Sequence, residues 1–181
     1  MKIVAKTDKG MVRDTNQDAY AVGELPGGVA WAVVCDGMGG AAGGNIASAL
    51  AVKVISEKIN NSYNAQMKDI SIKNMLHSAL VAANLEVFDM SLERPELRGM
   101  GTTVVCAIVK EGQAYIMHAG DSRAYIVSDN GLKQITMDHS MVQDLVNKGK
   151  ITEEEAAVHP NKNIITRALG VEKTIEIDFR Q

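Results

Sequence analysis

Val33-Val34-Cys35-Asp36-Gly37-Met38-Gly39-Gly40 sets an aspartate at the end of an apolar run and follows it at once with glycines. The run itself, Val29-Ala30-Trp31-Ala32-Val33-Val34-Cys35, lies between Pro26-Gly27-Gly28 and the glycine cluster, which predicts a strand buried on both faces. Downstream, Ile46, Leu50 and Val54 recur at i, i+4 spacing beside a stripe of Ala51, Ile55 and Ile59. That periodicity predicts a helix capped by Asn45, beginning after Gly43-Gly44. The order strand, carboxylate, glycine loop, helix brings an acidic group and bare backbone to one sheet edge, where a metal or a phosphate can be held.

Three phosphate chemistries use that order, and spacing separates them. Gly37-Met38-Gly39-Gly40-Ala41-Ala42 meets the loose dinucleotide fingerprint, with Glu57 near the place of a ribose-binding acid. Asp36 would repel an incoming pyrophosphate, however, and Asn60-Asn61-Ser62-Tyr63-Asn64 followed by a second helix stands where a parallel strand is required. A Walker loop needs Gly-Lys-Ser/Thr, but Asn45 and Ile46 follow Gly44. A cysteine phosphatase needs an arginine six positions after its nucleophile, and that position is Ala41, so Cys35 reads as a small core residue.

A divalent metal fits better, because hard cations prefer carboxylate, carbonyl and water oxygens, and Asp36 with the Gly37 carbonyl offers two from adjacent residues. Asp18, in Arg13-Asp14-Thr15-Asn16-Gln17-Asp18, and Asp121, in Ala119-Gly120-Asp121-Ser122-Arg123, are further candidates. Taken singly, each aspartate reads equally well as a turn former bonding its own backbone.

Strand patterns cover residues 2–7, 19–23, 29–35, 102–109, 113–118, 123–128 and 132–136, with Asp129-Asn130-Gly131 as a hairpin turn. A second helix carries Ile72, Met75, Leu76, Ala79, Leu80, Ala83 and Val87 on one stripe and stops by Pro95. Residues 137–163 change to short helical pieces, 141–148 and 153–158, the latter capped by Thr152, and alternation of Ile175, Ile177 and Phe179 predicts a strand over 173–179. With 181 residues and 46% hydrophobic content, the chain supports one substantial core. The net charge of -3 without a basic run argues against a nucleic-acid surface, and no segment reads as a membrane span or a signal peptide. Cys35 and Cys106 in apolar strands read as reduced core thiols of a cytoplasmic protein.

Taken together the motifs point to a family. Arg13-x-x-Asn16-Gln17-Asp18, Asp36-Gly37-Met38-Gly39-Gly40, Gly99-Met100-Gly101-Thr102-Thr103, Gly120-Asp121-Ser122-Arg123-Ala124-Tyr125, Asp138-His139-Ser140 and His159-Pro160 leading to Ile165-Thr166-Arg167-Ala168-Leu169-Gly170 follow one another along nearly the whole chain. In order and spacing they resemble the bacterial type 2C, metal-dependent serine/threonine protein phosphatases. The resemblance implies an α+β fold, an antiparallel β-sandwich flanked by α-helices, with two Mn²⁺ or Mg²⁺ ions at one end and a third, weaker one near the entrance. By that similarity Asp36 bridges the two ions, the Gly37 carbonyl joins one, Asp18 orients metal-bound water, Asp121 holds the third ion and Arg13 grips the substrate phosphate with its planar fork. A hydroxide between the ions would attack phosphoserine or phosphothreonine in line. Phosphorylated proteins, targets of a serine/threonine kinase, are the implied partners, and residues 137–163 correspond to a mobile flap beside the site.

Two departures accompany the resemblance. Met38 stands where many eukaryotic relatives have a histidine, and Met38 transfers no proton; His77, His118 and His139 read as packed or surface residues. The family pattern also continues into strands bearing Ser-Asp-Gly and an Asp-Asn pair, and neither motif lies within residues 1–181. The expectation is therefore a single phosphatase domain, 1–181, incomplete at its C-terminus and lacking those strands and their two metal-binding aspartates. A second reading stays open, a catalytically impaired phosphoprotein-binding or regulatory module.

Overall fold

Antiparallel pairing organises the chain. In a computed structural model, residues 1–12 and 14–181 are described, residues 40–42 by their backbone alone. Strands β1 (Asp18–Leu25) and β2 (Val29–Met38) pair along their length, from Leu25 opposite Val29 to Asp18 opposite Asp36. Helices α1 (Gly40–Ser62) and α2 (Asp69–Glu93) then pack against each other and onto the sheet, and a single 3₁₀ turn, Pro95–Leu97, ends the helical layer. Strands β3 (Gly101–Thr102), β4 (Val104–Lys110) and β5 (Gln113–Ala119) return to the sheet. A hairpin of β6 (Tyr125–Ser128) and β7 (Gly131–Gln134) forms a separate two-stranded sheet. Short helices α3 (Met141–Asn147) and α4 (Glu153–Val158) follow, and β8 (Asp178–Arg180) closes the main sheet in the order β1-β2-β4-β5-β8, with β3 on β2. The result is a mixed α+β fold with an antiparallel sheet.

The core lies between the sheet and the two long helices. Val33, Cys35, Ala51, Ile55, Ile59, Ile72, Leu76, Leu80, Val87 and Ile108 are fully buried there, so the helical stripes and the alternate residues of β2 and β4 meet as their periodicities predict. Thr152 caps α4 as the sequence indicates, and Glu155 completes a capping box with it.

Four sequence expectations give way. First, β2 is buried on one face, not both: Ala32 is partly exposed and Val34 is 46% exposed, because among the described residues the helices cover only one side of the sheet. Second, residues 2–7 form no strand; β propensity without a pairing partner or a face to bury decides little. Third, the strand expected over 173–179 narrows to Asp178–Arg180, where it pairs with Ile116, Met117 and His118. Fourth, α1 starts at Gly40, so Asn45 lies inside the helix and caps nothing.

The reason for that early start is the glycines. Gly39 adopts φ 118, which turns the chain from β2 straight into α1. Gly37 and Gly44 then let helix and strand touch: a Cβ on Gly44 would lie 2.8 Å from Gln17 Oε1 and 2.8 Å from the Gly37 carbonyl carbon, and one on Gly37 would strike the Gly44 carbonyl. Alanine favours a helix by about 0.8–1 kcal/mol over glycine, yet overpacking costs typically about 1–3 kcal/mol. Gly44→Ala will therefore lower the melting temperature, as read by calorimetry, and an unchanged or higher value would contradict this close contact.

Candidate active site

Register places the first two carboxylates. Asp18 and Asp36 are directly opposed on β1 and β2, so their side chains share one face at the end of the strand pair, the face turned away from the helices. Both residues are exposed. Asp36 and Gly37 line a cavity of about 560 Å³ together with Asp14, Gln17, Thr103, Asp121 and Asn163. Asp121 arrives there from the loop after β5, far away in sequence. Asp18 stands beside the cavity, through its pairing with Asp36, and is not part of the wall. Arg13 lies outside the described residues.

What holds Asp36 is a pair of threonines. Its N–H donates to Thr103 Oγ1 at 3.0 Å, and its carbonyl accepts from the Thr103 N–H and from Thr102 Oγ1, both at 2.9 Å. Thr103 Oγ1 also bonds Ser122 Oγ at 2.6 Å, which ties the Asp36 strand end to the residue beside Asp121. On the other side, the Gly37 N–H donates to the Gln17 carbonyl at 3.0 Å, and Ser48 Oγ of α1 donates to that same oxygen at 2.6 Å. These residues carry no signal for metal chemistry in sequence. Gly101-Thr102-Thr103 is recognisable as a motif, but its role is visible only when β3 is placed against β2.

Arg123 is occupied at the rim. Its Nε and Nη2 grip the Asp138 carboxylate at 2.9 and 2.6 Å, joining two of the sequence motifs and raising the guanidinium pKa further. Partial burial raises the Asp121 pKa, a hydrogen bond from its own backbone opposes this, Asp138 adds to it and Arg123 subtracts. A second cavity of about 740 Å³, lined by residues of α3 and α4 with Asp138 and Lys162, adjoins the first at Asp121 and Asn163. Cys35 and Cys106 are buried core thiols; desolvation pushes the Cys106 pKa up to about 12 and that of Cys35 higher still.

Among the described residues one group of three His, Cys, Asp or Glu side chains brings its ligand atoms within 4.8 Å of one another, His118, His139 and Asp178; Asp18, Asp36 and Asp121 form no such group. The geometry of the histidine group does not suit a cation. The imidazoles stack at 4.7 Å with planes 9° apart, so their in-plane lone pairs do not converge, and Arg167 Nη1 fills the space at 3.0 Å from Asp178 Oδ1. Oxygen donors, the kind a hard cation prefers, are offered instead by Asp36, Gly37 and Asp121 on the cavity wall and by Asp18 beside it.

The protein phosphatase 2C profile matches residues 11–169. The chain belongs to the protein phosphatase 2C family. The serine/threonine phosphatase stp of Listeria monocytogenes is 39% identical over 173 residues, covering 96% of this chain and 68% of that protein. PstP of Mycobacterium tuberculosis, a serine/threonine protein phosphatase, is 36% identical over 93% of this chain and 31% of its own length. Among solved structures, Stp1 of Staphylococcus aureus superposes with TM-score 0.90 at 37% identity, over 97% of this phosphatase domain and 68% of that chain. The catalytic domain of PstP in complex with two manganese ions superposes with TM-score 0.79 at 32% identity, covering 97% and 70%. The shared fold is mixed α+β, as the motifs imply, and this phosphatase domain spans about two thirds of the length of the stp relative.

Two predictions follow from the local geometry. Thr103 is 2% exposed, so Thr103→Val leaves the Asp36 N–H and the Ser122 hydroxyl without their partner. The expected loss is about 1–3 kcal/mol in denaturant unfolding, and a neutral variant would contradict the clamp. His139 resists protonation: burial is the main cause, Arg167 and His118 add to it, and Asp178 opposes it. The unfolded chain takes up that proton near 6.5 while the folded one does not, so the metal-free protein will lose melting temperature as pH falls below 6.5. Burial opposes charge on Asp178, but the surrounding histidines and arginines outweigh it and lower its pKa, so its contribution holds until the pH drops below 3.8. In His139→Asn the slope between pH 7 and 5 will flatten; an undiminished slope would assign the effect elsewhere.

Proposed function

We infer that this domain removes phosphate from phosphoserine and phosphothreonine in proteins with the help of divalent cations, Mn²⁺ or Mg²⁺. The observation that carries the reading is the direct opposition of Asp18 and Asp36 beside a cavity that Asp121 enters from a distant loop. Asp36, Asp18 and the Gly37 carbonyl would hold two cations, and Asp121 a third. When bound, such ions acidify water enough for attack at neutral pH and offset charge on the phosphoryl oxygens. The chain's own part is positional. Thr102 and Thr103 fix the backbone of Asp36, and Gln17 fixes that of Gly37, so these two residues of the cavity wall are held in place before any ligand arrives.

Arg13 is assigned the substrate phosphate, a role suited to its bidentate fork. Residues 137–163 are proposed as the flap: they wall the larger cavity that meets the site at Asp121, so chain flanking the phosphorylated residue would lie there. We read 1–181 as one phosphatase domain acting on substrates of a serine/threonine kinase in the cytoplasm, with neither nucleic acid nor membrane as partner. Among the described residues no helix is long and apolar enough to cross a membrane.

The test is hydrolysis of p-nitrophenyl phosphate and of a phosphothreonine peptide with and without Mn²⁺. Activity should vanish with chelator and return with Mn²⁺. Asp36→Ala should cost more than the roughly 100-fold that loss of an outer-layer partner costs. Full activity in that variant would overturn the assignment, whereas peptide binding without phosphate release would favour the regulatory module.

A further inference from the structure

The histidine of Asp138-His139-Ser140 is 7% exposed and lines neither of the two cavities described, yet it grips the loop that delivers Asp121. The Gly120 N–H donates to His139 Nδ1 at 3.1 Å, and the His139 N–H donates back to the Gly120 carbonyl at 2.9 Å. Two obligate donors reach the ring, the Gly120 amide at Nδ1 and Arg167 Nη1 at 3.3 Å from Nε2, and a neutral imidazole accepts at only one nitrogen; the shorter Gly120 contact assigns the lone pair to Nδ1 and the proton to Nε2. That side faces Asp178 Oδ1 at 3.6 Å, and Asp178 is anchored by Arg167 Nη1 at 3.0 Å. Stacked His118, whose Nε2 bonds the Met137 carbonyl at 2.8 Å, fixes the plane of the ring.

Gly120 itself has no slack. It adopts φ 110, and a Cβ there would lie 2.7 Å from Thr103 Cβ and Cγ2. The turn is therefore wedged between His139 and the threonine that clamps Asp36, and the next residue is Asp121. We propose that His139 is a positioning residue for the metal site, its Nδ1 acceptor setting the Gly120–Asp121 turn while the Asp178 carboxylate, itself held by Arg167, draws the ring proton to Nε2. The role assigned to Asp121 rests on the phosphatase reading; the hydrogen bond and its tautomer do not.

Three variants separate the acceptor from mere packing. Asn at 139 offers an oxygen near the place of Nδ1, Gln offers its polar end near the place of Nε2, and Ala offers neither. In metal-free ¹⁵N-labelled protein, the wild-type imidazole shifts should report an unprotonated Nδ1, and the Gly120 amide should exchange slowly. His139→Asn should keep that protection, while His139→Gln and His139→Ala lose at least tenfold. For hydrolysis, Gln and Ala should raise the Mn²⁺ concentration needed for half activity by about 10–100-fold, the usual cost of losing an outer-layer partner, with kcat at saturating Mn²⁺ largely kept. A protonated Nδ1, unchanged Gly120 exchange in Ala, or Asn behaving like Ala would each overturn the proposal. Should the wild type hydrolyse nothing, the phosphatase reading fails, and the tautomer and exchange measurements still decide the role of His139.

Discussion

Like charges set directly opposite each other weaken an antiparallel pair, and the last rung of the β1–β2 ladder is Asp18 against Asp36. Several contacts of the site hold that pair in place. The strands beneath it are fixed by a buried face of Val29, Trp31, Val33 and Cys35 packed on two long helices. The strand end is fixed by hydroxyl and backbone bonds from Thr102 and Thr103, and the turn beyond by contact of Gly37 with Gly44. A fold that spends this much rigidity on two adjacent carboxylates is suited to divalent cations, because the attraction to an ion more than offsets the repulsion.

Much of this could be read from the residues. The stripe through Ile72, Leu76, Ala79, Leu80, Ala83 and Val87 is a strong 3.6-residue period, and it is the buried face of α2. The short helix from Glu153 announces itself through the Thr152 capping box, a signal complete within four residues. Asp36 and Asp121 stand out because an acid flanked by glycine after an apolar run is a local pattern, and the structure brings both to one cavity.

What stayed hidden depends on contacts far apart in sequence. Thr103 meets Asp36 across 67 positions and Asn84 of α2 reaches 86 positions to accept the Gly170 N–H at 2.8 Å, so neither leaves a periodic trace. From sequence His139 reads as either a packed or a surface residue; the structure buries it, and its link to Gly120 requires the loop after β5 and the segment before α3 to be placed side by side. Asn45 misled because the glycines before it look like a loop, although they serve close packing inside a helix. Residues 2–7 carry the apolar run Ile3-Val4-Ala5 that a strand can use, yet a strand needs a neighbour.

The central claim is that acids from separate strands and a distant loop converge on bound cations. Diffraction from crystals soaked in Mn²⁺, recorded at the manganese absorption edge, tests it without reference to turnover. The account predicts anomalous peaks within about 2.0–2.6 Å of carboxylate oxygens of Asp36, the range of hard-cation coordination, with Asp18 and Asp121 beside them. Peaks confined to the His118, His139 and Asp178 group, or none near Asp36 at saturating Mn²⁺, would contradict it.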